Sequence, residues 1–127
     1  MATILVVDDE RPVRELLVHA LEDQGHRVLQ AFHGRHALSI IGTGGSERPD
    51  LVLADVMMPL VSGIELCRAL KANPDTADIP VVLMSAAAPR AALSAADGFI
   101  GKPFDLDDLE ALLGRVMLGN RTDHLQR

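Results

Sequence analysis

Two kinds of segment alternate along this chain: short apolar runs, and longer stretches whose apolar residues recur at spacings of three and four. The runs are Ile4-Leu5-Val6-Val7, a weaker Arg27-Val28-Leu29-Gln30, Leu51-Val52-Leu53-Ala54, Pro80-Val81-Val82-Leu83-Met84 and Phe99-Ile100. Three of them are apolar almost throughout, which predicts central strands covered on both faces. Between the runs, Val13, Leu16, Leu17, Ala20 and Leu21 mark a first helix, with Pro12 in its opening turn and Gly25 just past its end. A second helix is predicted from about Arg35 to Ile41, stopped by the polar, glycine-rich segment at residues 42–46. A third runs through Ile64, Leu66, Cys67 and Leu70 and ends before Asn73-Pro74. The last carries Leu106, Leu109, Leu112, Leu113, Val116 and Met117 and is followed by Gly119 and polar residues. The alanine-rich stretch from Ala86 to Ala96 has helical propensity but little amphipathicity, and a short helix is expected there.

Repeated βα units imply a parallel sheet with right-handed crossovers and helices on both faces. Ligands of such folds sit beyond the carboxyl ends of the strands. Reading those ends in turn, the first run yields Asp8-Asp9, the third Asp55, the fourth Ser85, and the fifth is followed by Lys102-Pro103. These polar groups therefore fall on one edge. Crowded carboxylates repel unless a hard cation with oxygen ligands neutralises them, and Mg²⁺ is the economical choice. A lysine and a hydroxyl beside such a metal suit the oxygens of a phosphoryl group.

Composition narrows the field further. The 127 residues are enough for one domain with its own core, and 48% hydrophobic against 24% charged residues is a globular balance. A net charge of −6 argues against direct binding of nucleic acid, which needs clustered cations. No apolar run approaches the ~20 residues of a membrane span, so no membrane insertion is expected. The lone Cys67 and the lack of signal-peptide features point to the cytoplasm. With no Trp and no Tyr, the core must be aliphatic.

The chain resembles the response-regulator receiver family from Ile4 to about Met117. The residues that carry the resemblance are Val6-Val7-Asp8-Asp9-Glu10, Asp55-Val56-Met57-Met58-Pro59 with Gly63, Met84-Ser85-Ala86, and Gly101-Lys102-Pro103-Phe104. The resemblance implies a flavodoxin-like α/β fold, a five-stranded parallel sheet of order 2-1-3-4-5, with residues 1–118 as the receiver and 119–127 as a polar tail. It also implies that Asp55 accepts a phosphoryl group from a sensor histidine kinase or a histidine phosphotransfer protein. Asp9, Asp55 and the Met57 backbone carbonyl would bind Mg²⁺, Asp8 would hold it largely through water, and Ser85 and Lys102 would contact the phosphoryl group. Phe99 matches the switch aromatic that follows Ser85, and Met57 and Ala87 occupy positions that tune the phosphate lifetime. The output would be a changed surface presented to a downstream protein target, in a signalling module that is either a free-standing regulator or a phosphorelay shuttle and catalyses only its own phosphorylation and dephosphorylation.

One departure from the family is plain. Only 17 positions separate Ser85 from Lys102, shorter than usual by more than about one helical turn, so the fourth helix or its leading loop is cut down. An aspartate-nucleophile phosphatase is a competing reading, but such enzymes place a second Asp two residues after the nucleophile, where this chain has Met57. A phosphorylation-independent scaffold is another, although none of the acidic or lysine residues is missing. His33 and His36 stand one helical turn apart without a third zinc ligand and are expected on the surface. Cys67 falls in the apolar pattern of the third helix and is expected in the core.

Overall fold

The computed structural model describes residues 2–41, 48–87 and 94–125, with side chains through residue 118. The elements follow in the order β1 (Thr3–Val7), α1 (Arg11–Asp23), β2 (Arg27–Ala31), α2 (Gly34–Ile41), β3 (Leu51–Asp55), α3 (Gly63–Ala72), β4 (Val81–Ser85), β5 (Gly98–Gly101) and α4 (Leu106–Leu125). All strand pairs are parallel, in the order β2-β1-β3-β4-β5.

The twofold period of the strands sorts their side chains into two cores. Leu5, Val7, Val52, Ala54, Val81 and Leu83 face one side, where they meet Ala37 of α2 and Leu66, Cys67 and Leu70 of α3. Ile4, Val6, Leu51, Leu53, Val82 and Met84 face the other, against Leu17 and Leu21 of α1 and Leu109 and Leu113 of α4. Every residue of β3 and β4 is buried, as continuous apolar runs in a doubly covered sheet require. Each large aliphatic side chain so buried is worth about 1.5–3 kcal/mol relative to water.

Helix ends follow local chemistry. Pro12 occupies the first turn of α1. At its other end Gly25 has φ +91°, with its N–H donating to Glu22 O at 2.9 Å and His26 N–H to Leu21 O at 3.1 Å. That conformation favours glycine and satisfies the last carbonyls of the helix. Ser62 begins α3 in a reciprocal cap: its Oγ accepts from Glu65 N–H at 3.1 Å, and Glu65 Oε1 accepts from Ser62 N–H at 3.0 Å.

Three expectations change. The buried stripe of α1 is Arg14, Leu17, Val18 and Leu21, whereas Leu16 is 58% exposed, so the helix is rotated from the phase its leucines suggest. The backbone of α4 is helical to Leu125, past Gly119. His33 and His36 are not free surface groups: His36 N–H donates to His33 Nδ1 and Phe32 N–H to His36 Nδ1, both at 3.1 Å, closing the first turn of α2. The short helix expected across residues 86–96 falls mostly on residues 88–93, outside those described. Cys67 is buried as expected, its thiol donating to Ala95 O at 3.2 Å. No described helix is long and apolar enough to cross a membrane.

Candidate functional site

The register of the central strands brings the polar residues together. Val7 pairs with Ala54, so Asp8 emerges level with Asp55 at the ends of β1 and β3. Asp55 pairs with Met84, and Ser85 with Gly101, so Ser85 and Lys102 follow on the neighbouring strand ends. Lys102 N–H donates to Ser85 O at 2.8 Å, which ties the turn after β5 to the end of β4. The Lys102–Pro103 peptide bond is cis.

Asp8, Asp9 and Asp55 each offer a carboxylate oxygen, and these atoms all lie within 4.8 Å of one another. Asp8 is fully buried, Asp55 is buried and Asp9 is exposed, so the cluster opens to solvent on the Asp9 side. Lys102 Nζ sits 3.4 Å from Asp8 Oδ2 and 3.5 Å from Asp55 Oδ2, bridging the two buried carboxylates. Burial pushes the Asp55 carboxyl above its ordinary value and the Asp8 charge adds to that, while Lys102 and the Met57 amide pull it down. A donor set of carboxylate oxygens within one ion's reach, open on one side, suits a hard divalent cation that keeps some of its water.

The acidic turn is held at several points. Asp8 N–H donates to Ala31 O at 3.2 Å, Asp8 Oδ1 accepts from Glu10 N–H at 2.9 Å, and Asp8 O accepts from Arg14 Nη1 at 2.9 Å. On the far side of Asp55 the chain turns at Leu60, which has φ +69°, and returns so closely that Gly63 N–H donates to Val56 O at 3.0 Å. A Cβ on Gly63 would lie 2.9 Å from both the Asp55 carbonyl carbon and Val56 Cα, so only glycine fits at the start of α3.

Of the remaining residues singled out by sequence, Ser85 is buried at the end of β4, and its Oγ accepts from Ala87 N–H at 3.2 Å. Met57 is 74% exposed and Ala87 is exposed, both on loops at this edge. Phe99 pairs with Leu83 in the sheet and is half-buried against the α2–α3 side of the core. It stands two residues short of the end of β5. Among the described residues no buried side-chain N or O lacks a hydrogen-bond partner.

Sequence reading missed Arg14 and Phe32. Arg14 is buried, donates from Nε to Gln30 Oε1 at 3.2 Å and stacks over the Phe32 ring, 4.6 Å from its centroid. The signal was present, since Arg14 lies three, four and seven residues before Leu17, Val18 and Leu21, a cation on the core-facing stripe of α1.

Residues 4–114 match the family described as the response regulator receiver domain. The chain is 40% identical over 120 residues to the phosphate regulon transcriptional regulatory protein PhoB of Pseudomonas aeruginosa, a match covering 91% of this chain and 51% of PhoB. It is 43% identical over 124 residues to the response regulator MprA of Mycolicibacterium vanbaalenii, covering 94% of this chain and 51% of that protein. The chain thus spans about half the length of the curated relatives it matches. Among solved structures, the receiver domain of a signal transduction histidine kinase from Syntrophus aciditrophicus superposes with a TM-score of 0.84 at 34% identity, covering 94% of this chain and 92% of that one. Chemotaxis response regulator CheY4 of Vibrio cholerae superposes with a TM-score of 0.83 at 30% identity, covering 91% and 98%. Sheet order, strand-end carboxylates and these matches agree, and the chain belongs to the receiver-domain family of two-component response regulators.

Proposed function

We propose that this domain, residues 1–118, takes a phosphoryl group from a phosphohistidine of a sensor histidine kinase or a histidine phosphotransfer protein onto Asp55, in a Mg²⁺-dependent reaction in the cytoplasm. The observation that carries the reading is the cluster of three carboxylates within 4.8 Å, with Lys102 bridging its two buried members.

Asp9, Asp55 and the Met57 carbonyl are the ligands proposed for Mg²⁺, with Asp8 acting largely through water. The ion, when bound, neutralises the carboxylates and the phosphoryl oxygens. An Asp55 carboxylate oxygen attacks phosphorus; the P–O bond to Asp55 forms as the P–N bond to the donor imidazole breaks, and the imidazole leaves. Lys102 holds a phosphoryl oxygen, a role supported by its ammonium lying 3.5 Å from Asp55 Oδ2. The Ser85 hydroxyl takes another oxygen by giving up the Ala87 N–H, and Phe99, half-buried on the next strand, responds to the space it leaves. An in-line water attacks phosphorus and the P–O bond to Asp55 breaks, which releases inorganic phosphate and the free carboxylate; neither Met57 nor Ala87 has an acid or amide to orient that water. The output is a changed surface read by a protein partner. PhoB is a transcriptional regulatory protein about twice the length of this match, and the acidic receiver is not proposed to touch nucleic acid itself.

Acetyl phosphate with Mg²⁺, read by intact-mass spectrometry, tests the reading. A single phosphate that is lost with chelator and absent from Asp55→Asn is expected. Label that survives in Asp55→Asn moves the acceptor elsewhere.

A further inference from the structure

Among the described residues Arg14 is the one buried lysine or arginine, and its three contacts reach three different parts of the chain. Nη1 donates to Asp8 O, Nε donates to Gln30 Oε1 on β2, and the guanidinium plane covers Phe32, the residue after β2. Phe32 is itself 51% exposed and leans on the His36 ring at 4.8 Å between centroids. The guanidinium therefore joins an exposed aromatic ledge to the first carbonyl beyond β1.

That carbonyl matters because peptide planarity couples it to the next residue. The Asp8–Asp9 peptide carries Asp9 at its far end, and the Asp8 amide is already fixed to Ala31 O. Pinning Asp8 O sets the tilt of that plane, and with it the direction in which the exposed Asp9 leaves the backbone. Repulsion among the three carboxylates acts to drive Asp9, the exposed member, outward. A rigid fork behind the peptide opposes that drift, and an ammonium on a flexible stem does so poorly.

We propose that Arg14 is a positioning residue for divalent-cation binding at Asp9, and that Phe32 braces it, so that an exposed aromatic residue with no ligand atom sets the affinity of the metal site. This rests on the Mg²⁺ reading of Asp8, Asp9 and Asp55. Gln30 holds the guanidinium from the strand side, and Phe32 closes it off from solvent, which strengthens both hydrogen bonds. A partner that seats on Phe32 would then tune the acidic turn without approaching it.

The test is a Mg²⁺ titration of the whole chain followed by amide NMR, beside the melting temperature in chelator, for the parent, Phe32→Ala, Arg14→Lys and the double variant. Arg14→Lys keeps the positive charge, so long-range electrostatics is held constant while the fork is lost. Affinity is expected to fall about tenfold in Arg14→Lys, the range for groups that orient metal ligands. In Phe32→Ala it is expected to fall about threefold, as loss of a half-exposed cation–π contact implies. The double variant should be no weaker than Arg14→Lys, because Phe32 acts only through the guanidinium. A purely structural brace would lower the melting temperatures and leave Mg²⁺ affinity at the parent value, which overturns the proposal, as do additive losses. Phe32→Ala changes a half-exposed side chain, so the question survives even if Arg14→Lys folds poorly. No saturable binding by the parent, or full binding by Asp9→Asn, would sink the metal reading itself and is told apart by those two samples.

Discussion

Replacing Gly63 by alanine should break the junction that aims Asp55. The added Cβ would lie 2.9 Å from the Asp55 carbonyl carbon and from Val56 Cα, and closer still to the Asp55 carbonyl oxygen. Ordinary carbon contacts are ~3.5–4.0 Å, so the backbones must part by roughly 0.5–1 Å. The strand side cannot yield, because β3 is paired on both edges and Val56 N–H is committed to Met84 O at 2.8 Å. Movement therefore falls on α3, stretching the Gly63 N–H bond to Val56 O and the Ser62–Glu65 cap. Overpacking costs about 1–3 kcal/mol and a damaged cap about 1 kcal/mol, which sums to about 3 kcal/mol. For a domain of this size that is roughly 10 °C in melting temperature and a third of a typical total stability. Urea unfolding followed by far-ultraviolet circular dichroism measures it, since the chain has no Trp or Tyr to fluoresce. A loss below about 0.5 kcal/mol, the scale of an ordinary surface change, would refute the close-approach argument.

Three further outcomes are expected. Leu60→Gly, three residues earlier, should stabilise the fold by about 0.5–1 kcal/mol, because Leu60 has φ +69° and is 69% exposed; relief of about 1–2 kcal/mol of left-handed strain exceeds the extra unfolded-state entropy of glycine. A lower urea midpoint than the parent would contradict it. Asp55→Asn in chelator should be more stable than the parent at neutral pH, with the difference shrinking as pH falls: burial raises the Asp55 pKa in the fold, so its contribution is full below the unfolded value and lost as pH rises through the folded one. Melting curves across pH check the sign. The Cys67 thiol, buried, hydrogen-bonded to Ala95 O and pushed to higher pKa by burial, should resist alkylation until the chain unfolds, so fast labelling of the folded protein would contradict its placement.

Strand positions and their burial were legible because they depend on local pattern. The apolar run Leu51-Val52-Leu53-Ala54 reads the same in the sequence and in the sheet, where Asp55 extends the strand, and the carboxylates at the ends of such runs could be placed on one edge from connectivity alone. The phase of α1 was not legible, because Leu16 and Leu17 are equally apolar and only the packed sheet selects between them. The same choice buries Arg14, whose value lies in a carbonyl six residues back and a ring eighteen residues ahead. His33 and His36 looked like a weak metal pair or surface residues, and became helix caps once Phe32 and His36 presented their N–H groups to them.

By itself, then, the sequence determined the five strand runs, the helices after the first, second, third and fifth of them, that the core is aliphatic, and that Asp8, Asp9, Asp55, Ser85 and Lys102 share one edge, since periodicity and chain direction need no knowledge of distant contacts. Tertiary structure decided the 4.8 Å convergence of the carboxylates, the bridging position of Lys102, the side of α1 that is buried, and the need for glycine at position 63. Most of these join residues far apart in the chain, and the Gly63 contact joins the two sides of the Leu60 turn; strand register and close packing fix them, and no local pattern of residue types encodes them.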